Sequence, residues 1–239
     1  MLKKLKPELS IVLPVFNEEQ NIPLVVAEYL KLTKVKNIEV IFVEDTGSTD
    51  KTREVIKKFS RKYTFVKALL INERGYGLSL YSGLKFARGK FICWTHADLQ
   101  TDPKDTIRAL NIIQKNSDEK VFVKGKRYGR PLSDSFFTFG MSVFETLILG
   151  KPLYDINAQP NLFHNSFIGL IKDPPSDFSF DLYIYYTAKK EGYKILRFPV
   201  LFKKRIYGHS AWNNNLASKI KFIKRTIKFT FDLKKRLNL

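Results

Sequence analysis

Asp98 and Gln100 stand two residues apart in the run Thr95-His96-Ala97-Asp98-Leu99-Gln100-Thr101-Asp102-Pro103, and together they offer a carboxylate and an amide oxygen. Hard divalent cations take oxygen ligands and keep waters and substrate phosphates in their shell, so the pair suits a metal that travels with a diphosphate. An ordinary Asp-rich turn before a Pro-initiated helix accounts for the same residues. A second group is cationic: Lys124, Lys126, Arg127 and Arg130 fall within seven residues and are hinged by Gly125 and Gly129. Arginine grips phosphate through two parallel N–H groups and lysine acts as a point charge, which makes this run a candidate phosphate clamp, the alternative being a solvated charge run.

The elements that must position these residues repeat. Leu9 to Phe16 reads as a buried strand ending in Asn17-Glu18-Glu19, with an amphipathic helix from about Glu19 to Leu32. Glu39 to Val43 opens into Glu44-Asp45-Thr46-Gly47-Ser48-Thr49-Asp50 and another helix. Phe65 to Ile71 opens into Asn72-Glu73-Arg74-Gly75-Tyr76-Gly77 and a helix reaching Ala87, and Phe91 to Trp94 opens into the Asp98 run. Four strand-loop-helix units joined by right-handed crossovers give a parallel sheet covered on both faces. Open sheets of this kind hold ligands at the carboxyl ends of their strands.

These loops, in this order, resemble family 2 glycosyltransferases, whose usual wording is PVxNE, DDGSTD, NxGxG and DADLQxDP. Residues 9 to about 125 resemble the nucleotide-sugar half of that family. Residues 126 to about 213 are similar to its polyprenyl-phosphate branch, of which dolichyl-phosphate mannose synthase is the familiar member. The resemblance implies an α/β GT-A fold, Rossmann-like, with a mixed, mostly parallel sheet flanked by helices. It implies one transferase domain over residues 1–213 followed by an amphipathic basic helix over 214–239.

Donor contacts are implied at Pro14, Phe16, Glu18, Asp45, Arg74, Gly75, His96, Ala97, Asp98 and Arg205. A divalent metal, Mn2+ or Mg2+, is implied at Asp98 and Gln100, with His209 of the segment Arg205-Ile206-Tyr207-Gly208-His209-Ser210 a candidate to complete its shell. Acceptor or sugar contacts are implied at Lys124, Arg127, Arg130, Asn157 and Gln159. Catalytic roles fall to Arg127, facing an acceptor phosphate, and to Asp181, which lies eleven residues before Gly192 as the family's hydroxyl-activating base does. The chain departs from the pattern at Glu44, Thr46 and above all His96, which replaces the first aspartate of the metal motif. Neutral imidazole suits manganese better than magnesium.

The 239 residues carry 42 Lys and Arg against 23 Asp and Glu, a formal charge of +19, which asks for an anionic partner. No nucleic-acid-binding motif is present, so nucleic acid is not expected and a membrane surface is. Leu216, Ile220, Phe222, Ile223, Ile227, Phe229, Phe231, Leu233 and Leu237 form one helical face, opposite Lys221, Lys224, Arg225, Lys228, Lys235 and Arg236. That helix either lies on anionic lipid or docks on the core.

No window reads as approaching the ~20 apolar residues of a bilayer span, and Ser10 to Phe16 is too short for a signal peptide. Cys93 reads as a small core hydrophobe in a reducing compartment. The expected protein is an inverting transferase, peripheral on the cytoplasmic face of a membrane. It would use a UDP- or GDP-sugar and a polyprenyl phosphate or lipid-linked glycan, with an integral-membrane partner as a further candidate. Transfer to a sugar or protein hydroxyl is the alternative, followed by a catalytically inactive membrane-bound scaffold.

Overall fold

The computed structural model describes residues 6–208 and 216–236. Strand β1 (Leu9–Val15) sits between β2 (Ile38–Glu44) and β4 (Phe91–Trp94), parallel to both, and β3 (Val66–Leu70) runs parallel outside β2. Side-chain alternation divides β1 between two cores: Leu9, Ile11, Leu13 and Val15 enter one layer and Val12 the other. Strands covered on both faces read as continuous apolar runs, which is how β1, β2 and β4 are spelled. Helices α1 (Asn21–Leu32), α2 (Thr52–Lys62), α3 (Tyr76–Phe86) and α4 (Lys104–Gln114) follow the four strands.

The second half completes one seven-stranded sheet of order β3-β2-β1-β4-β6-β5-β7. Strand β6 (Asn161–His164) is antiparallel to β4 and to β5 (Val121–Tyr128), while β7 (Lys194–Leu201) runs parallel to β5. This reversal has a geometric consequence. Asn161 pairs with Trp94 at the carboxyl end of β4, so the chain enters β6 at the same sheet edge where the other six strands leave it. Seven segments thereby meet on one edge, with the order turning back at β1 as ligand-binding open sheets require.

Helix α6 (Phe180–Lys190) covers the sheet and ends ahead of Gly192, whose φ of 78° is the left-handed conformation that stops helices. Two further helices, α5 (Leu132–Leu149) and α7 (Leu216–Arg236), pack against each other. Helix α5 overturns an expectation, since by length and composition it is apolar enough to cross a membrane. Ser133-Asp134-Ser135 and Gly140 interrupt its apolar run, while Pro131 and the left-handed Gly150 mark its ends.

Helix α7 is amphipathic as expected, but its inward stripe matches the expected one only at Phe229 and Leu233 and adds Thr226 and Thr230. Thr226, Thr230 and Leu233 are buried, Phe229 is partly buried, and Ile220 and Phe231 remain half-exposed. Leu233 meets Leu149, Leu182, Tyr185 and Tyr186 in a small third core, and the Phe231 ring meets Phe144 edge-on at 6.0 Å. Leu237 and the side chains of Leu216, Lys221 and Phe222 lie outside the described residues.

Leu233→Ala removes the apolar anchor between α7 and α6. Truncating a buried leucine costs about 2 kcal/mol or more, so urea unfolding should show that loss in midpoint with an unchanged slope. A midpoint equal to that of the parent protein is the contrary result.

Candidate functional site

A cleft of about 370 Å³ runs along this sheet edge, lined among others by Phe16, Asp45, Asp98, Arg127, Asp181 and Arg205. At one end Phe16 and Arg74 form a wall, the guanidinium 5.2 Å from the ring centroid. Asp45 lies beneath them, accepting from the backbone N–H groups of Gly47 (2.8 Å) and Gly75 (3.0 Å). Pro14, Glu18 and Gly75 complete this end.

Gly75 and Gly77 serve close approach, but to the protein's own chain. A Cβ on Gly77 would stand 2.2 Å from the Pro175 carbonyl and one on Gly75 2.5 Å from that of Ser176. The β1 and β2 loops are interlocked: the Glu18 N–H donates to Thr52 Oγ1 and the Asn17 side chain accepts from the Thr49 N–H. Ser48 receives the Asn17 N–H, which makes it structural. Glu44, an unexpected acid, is neutralised by Arg53 at 2.8 Å.

The Asp98 turn forms the floor. Leu99 adopts φ +57°, a strained conformation for a bulky residue, and the twist lets Asp98 Oδ1 accept the Gln100 N–H at 3.0 Å. Asp98 Oδ2 accepts from Arg205 Nη2 at 2.8 Å, and Arg205 Nη1 donates to Glu18 at 3.1 Å. Burial drives Glu18 up to about 7, against the opposing pull of Arg205. Gln100 donates its amide to the Lys203 carbonyl, fastening the loop after β7 across the floor. Burial also holds His96 below its ordinary value, against the pull of Asp98 and Asp181, so it is a neutral ring at neutral pH.

Asp181, at the start of α6, faces the cleft from a buried position. Its oxygens accept from the Tyr76 hydroxyl (3.0 Å) and Trp94 Nε1 (3.2 Å), and Phe178 stacks on Tyr76 at 4.3 Å. Burial raises its pKa, with Lys124 the main opposing charge. At the far end Asp155 binds Arg127 through the Arg127 backbone N–H, Nε (2.9 Å each) and Nη2. Arg197 and Arg130 approach the same carboxylate at 3.8 and 3.9 Å. Burial pushes Asp155 up, but Arg127 outweighs it and keeps the carboxyl below its usual range.

Several expected contacts are corrected. Lys124 is no part of an open clamp: it is fully buried, donating to the Ala158 carbonyl and Asn161 Oδ1 at 2.7 Å each, and burial lowers it to about 7. Gln159 lies below the cleft and donates to the Tyr76 hydroxyl. Ala97 packs into the core under the sheet edge. Arg130 stands behind the cleft wall, its Nη1 near Asp155 and its Nη2 donating to the Asp134 carbonyl and Thr138, while Lys126 is exposed. Asn157 does line the cleft. His209 lies outside the described residues.

Arg225 is the residue that sequence reasoning misplaced. Assigned to the basic outer face of the last helix, it instead lines the cleft, its guanidinium 5.3 Å from the Phe178 ring and 3.4 Å from Asp177. Its position one turn from the buried stripe of α7 was the available signal. A second, narrow cavity of about 40 Å³ lies between α5, α6 and α7, and shares Arg127, Asn157 and Phe178 with the cleft. Glu145 of α5 lines it, only 2% exposed with Oε2 unpartnered, and burial lifts its pKa to about 8.

The donor set near Asp98 makes no resident metal cage; among the described residues no three His, Cys, Asp or Glu side chains come together to hold an ion. It does fit the other common mode, in which one carboxylate and a few waters hold a cation delivered with phosphates. Asp98 already supports one positive charge, the Arg205 guanidinium, at that spot.

Residues 10–171 match the family described as Glycosyl transferase family 2. An uncharacterised protein of Methanocaldococcus jannaschii is 30% identical over 214 residues, covering 84% of this chain and 83% of that one. Dodecaprenyl-phosphate galacturonate synthase of Rhizobium johnstonii is 34% identical over 101 residues, 41% of this chain and 30% of that protein. Among solved structures, glucosyl-3-phosphoglycerate synthase of Mycobacterium tuberculosis with Mn2+, UDP and glucosyl-3-phosphoglycerate superimposes with a TM-score of 0.73 at 16% identity, covering 98% of this chain and 81% of that one.

Glu145 gives stability a pH dependence of predictable sign. Its carboxyl holds a proton up to about pH 8 when folded but only to about 4.5 when unfolded. Between those values the unfolded state releases the proton first, so its contribution to stability falls as pH rises and levels off above 8. Glu145→Gln removes this slope. The variant should match the parent near pH 4.5 and exceed it at pH 8 by up to a few kcal/mol, since each tenfold change in proton affinity is worth about 1.4 kcal/mol. Parallel stability curves across that range are the opposite result.

Proposed function

The chain belongs to glycosyl transferase family 2, and from that premise we propose that it is an inverting enzyme which transfers a sugar from a nucleoside-diphosphate sugar to the phosphate of a lipid-linked acceptor. The observation that carries the acceptor assignment is the grouping of Arg127, Arg130 and Arg197 about the single carboxylate of Asp155. Three guanidiniums against one carboxylate leave net positive charge, and Arg127 presents it to the cleft wall. A phosphate is the group that such charge and geometry favour.

The donor end is supported by Phe16, Arg74 and Asp45, which together offer a stacking face, a cation and a hydrogen-bond acceptor to a nucleoside. Glu18 is within the same end for a ribose hydroxyl, and neutral His96 and Asn157 offer hydrogen bonds toward the sugar. An acceptor phosphate oxygen attacks the anomeric carbon as the bond from that carbon to the diphosphate breaks, the electron pair leaving with the nucleoside diphosphate. The attack comes from the face opposite the leaving group, so configuration inverts.

The barrier falls chiefly through fixed positive charge where the leaving group becomes anionic. Arg205 is placed for this, since its guanidinium rests on Asp98 and Glu18 at the diphosphate end. Asp98 and Gln100 would hold a divalent cation there, which would add further neutralisation of the diphosphate. Arg225 adds a cation on the wall formed by Phe178. The lipid phosphate is anionic already and asks for no base. Asp181, with both oxygens accepting hydrogen bonds from Tyr76 and Trp94, then orients the sugar pocket rather than removing a proton.

The alternative acceptor, a hydroxyl, is favoured by the raised pKa of Asp181, which suits a general base. The two readings separate on Asp181→Asn, an isosteric change. With a prenyl phosphate acceptor the variant should retain kcat within about tenfold of the parent, whereas removal of an essential general base costs about 10²–10⁴-fold.

Arg127→Ala should raise the acceptor KM by about 10- to 100-fold, the range expected for a hydrogen bond to a charged group, with donor affinity nearly unchanged. Equal loss of donor affinity would move Arg127 to the other substrate. A thermal-shift series of UDP- and GDP-sugars with Mn2+ should raise the melting point for one nucleotide, by mass action. That increment should vanish with EDTA and in Asp98→Asn; an increment that survives both removes the metal from Asp98.

A further inference from the structure

Helix α5 has two unlike sides. Ser142, Glu145 and Leu149 are buried, facing the cavity and small core shared with α6 and α7. On the other side Leu132, Phe136, Phe139, Val143 and Leu147 recur every three or four residues and are 89, 80, 55, 41 and 75% exposed. That spacing places them on one face, along a helix about 27 Å long at ~1.5 Å per residue. Large continuous apolar patches on monomers mark an interaction surface, and nothing among the described residues covers this one.

Three observations select the cover. The first is charge: α5 contains no Lys or Arg, but the chain before it supplies Lys126, and the packed helix α7 exposes Lys224, Lys228, Lys235 and Arg236. An apolar strip accompanied by exposed cations complements an anionic lipid surface, whose headgroups attract each such cation. The second is continuity. The cavity behind α5 shares Arg127, Asn157 and Phe178 with the catalytic cleft, so the helix lies beside the acceptor end of the site. The third is the buried side itself. With Ser142 and Glu145 packed inward, α5 cannot present an apolar surface all round, and a helix apolar on one face lies in the interface plane instead of crossing.

We infer that the Leu132–Leu147 face of α5 lies in the headgroup and acyl boundary of an anionic bilayer, bringing the α5–α7 cavity to the depth at which a lipid-linked phosphate sits. This deepens the lipid-acceptor reading and rests on it for the purpose of the docking, though not for the docking itself. It also relocates the membrane contact: α7 contributes charge, and α5 contributes the apolar surface.

The test is flotation of the full chain with vesicles of phosphatidylcholine alone or mixed with phosphatidylglycerol, comparing the parent with Phe136→Asp/Leu147→Asp. Both positions are exposed, so the variant should keep its melting point and its thermal shift with nucleotide-sugar. The parent should float with the anionic vesicles, incompletely released by salt, and the variant should lose about tenfold or more of its bound fraction, since buried apolar groups dominate such partitioning. Undiminished flotation of the variant overturns the proposal. So does equal binding to phosphatidylcholine alone, or a parent that sediments as a dimer, does not float, and becomes monomeric on substitution, which assigns the face to a second copy.

Activity then separates the two readings. A short-chain, water-soluble prenyl phosphate should be used equally by parent and variant, while the vesicle-embedded acceptor should fail only with the variant. Loss of flotation with no turnover of either prenyl phosphate by the parent leaves α5 docking intact and overturns the acceptor reading. Turnover of both acceptors by both proteins, with flotation unchanged, overturns the docking and keeps the acceptor.

Discussion

Positive charge gathered around a cleft must be held before substrate arrives, and that requirement organises this site. Guanidiniums brought together repel one another and lose hydration, so each needs a partner that fixes it without cancelling its use. Arg127 rests on Asp155, Arg205 on Asp98 and Glu18, Arg225 on Asp177 and the Phe178 ring, and Arg74 on the Phe16 ring. The carboxylates lie at the ends of different strands, loops and helices. The arrangement exists only because the sheet brings those ends to one edge. Preorganised charge of this kind needs no rearrangement of solvent at the moment of reaction.

The same logic explains the buried groups behind the cleft. Lys124 sits in β5 with its ammonium satisfied by the Ala158 carbonyl and Asn161, and it lies close enough to Asp181 and Asp155 to favour their charged forms. It therefore works on the site electrostatically, without touching it. Tyr76 links Asp181 to Gln159 through one hydroxyl, so the segment entering β6 and the start of α6 are set relative to each other by a chain of short hydrogen bonds.

Helices α5 and α7 complete this assembly from outside the sheet. Their contact closes a second cavity against α6, and it carries Arg225 and Thr226 to opposite sides of the same wall. With one face spent on this contact, α5 leaves Leu132, Phe136, Phe139, Val143 and Leu147 exposed on the other.

Local patterns determined much of this. The β1 to β4 strand-loop-helix units were legible because strands buried on both faces must be spelled in continuous apolar residues and their loops in Gly, Asp, Asn and Ser. The convergence of Phe16, Asp45, Arg74 and Asp98 followed from the same order, since parallel strands deliver their carboxyl ends to one edge, whereas Arg205, after β7, was indicated only by the family resemblance. The sequence did not reveal which cations face inward. Lys124 and Arg225 each belong to a run of like charges, and within a run composition is silent about direction; the strand register buried one and the packing of α7 turned the other into the cleft. Helix α5 escaped notice because its apolar face is broken by Ser, Thr and Gly. A helix is recognised by the face it buries, and α5 buries a mixed face, Ser142 and Glu145 together with Leu149, leaving its more continuous apolar face outside. Only tertiary packing, which decides what each side of a helix meets, could distinguish the two.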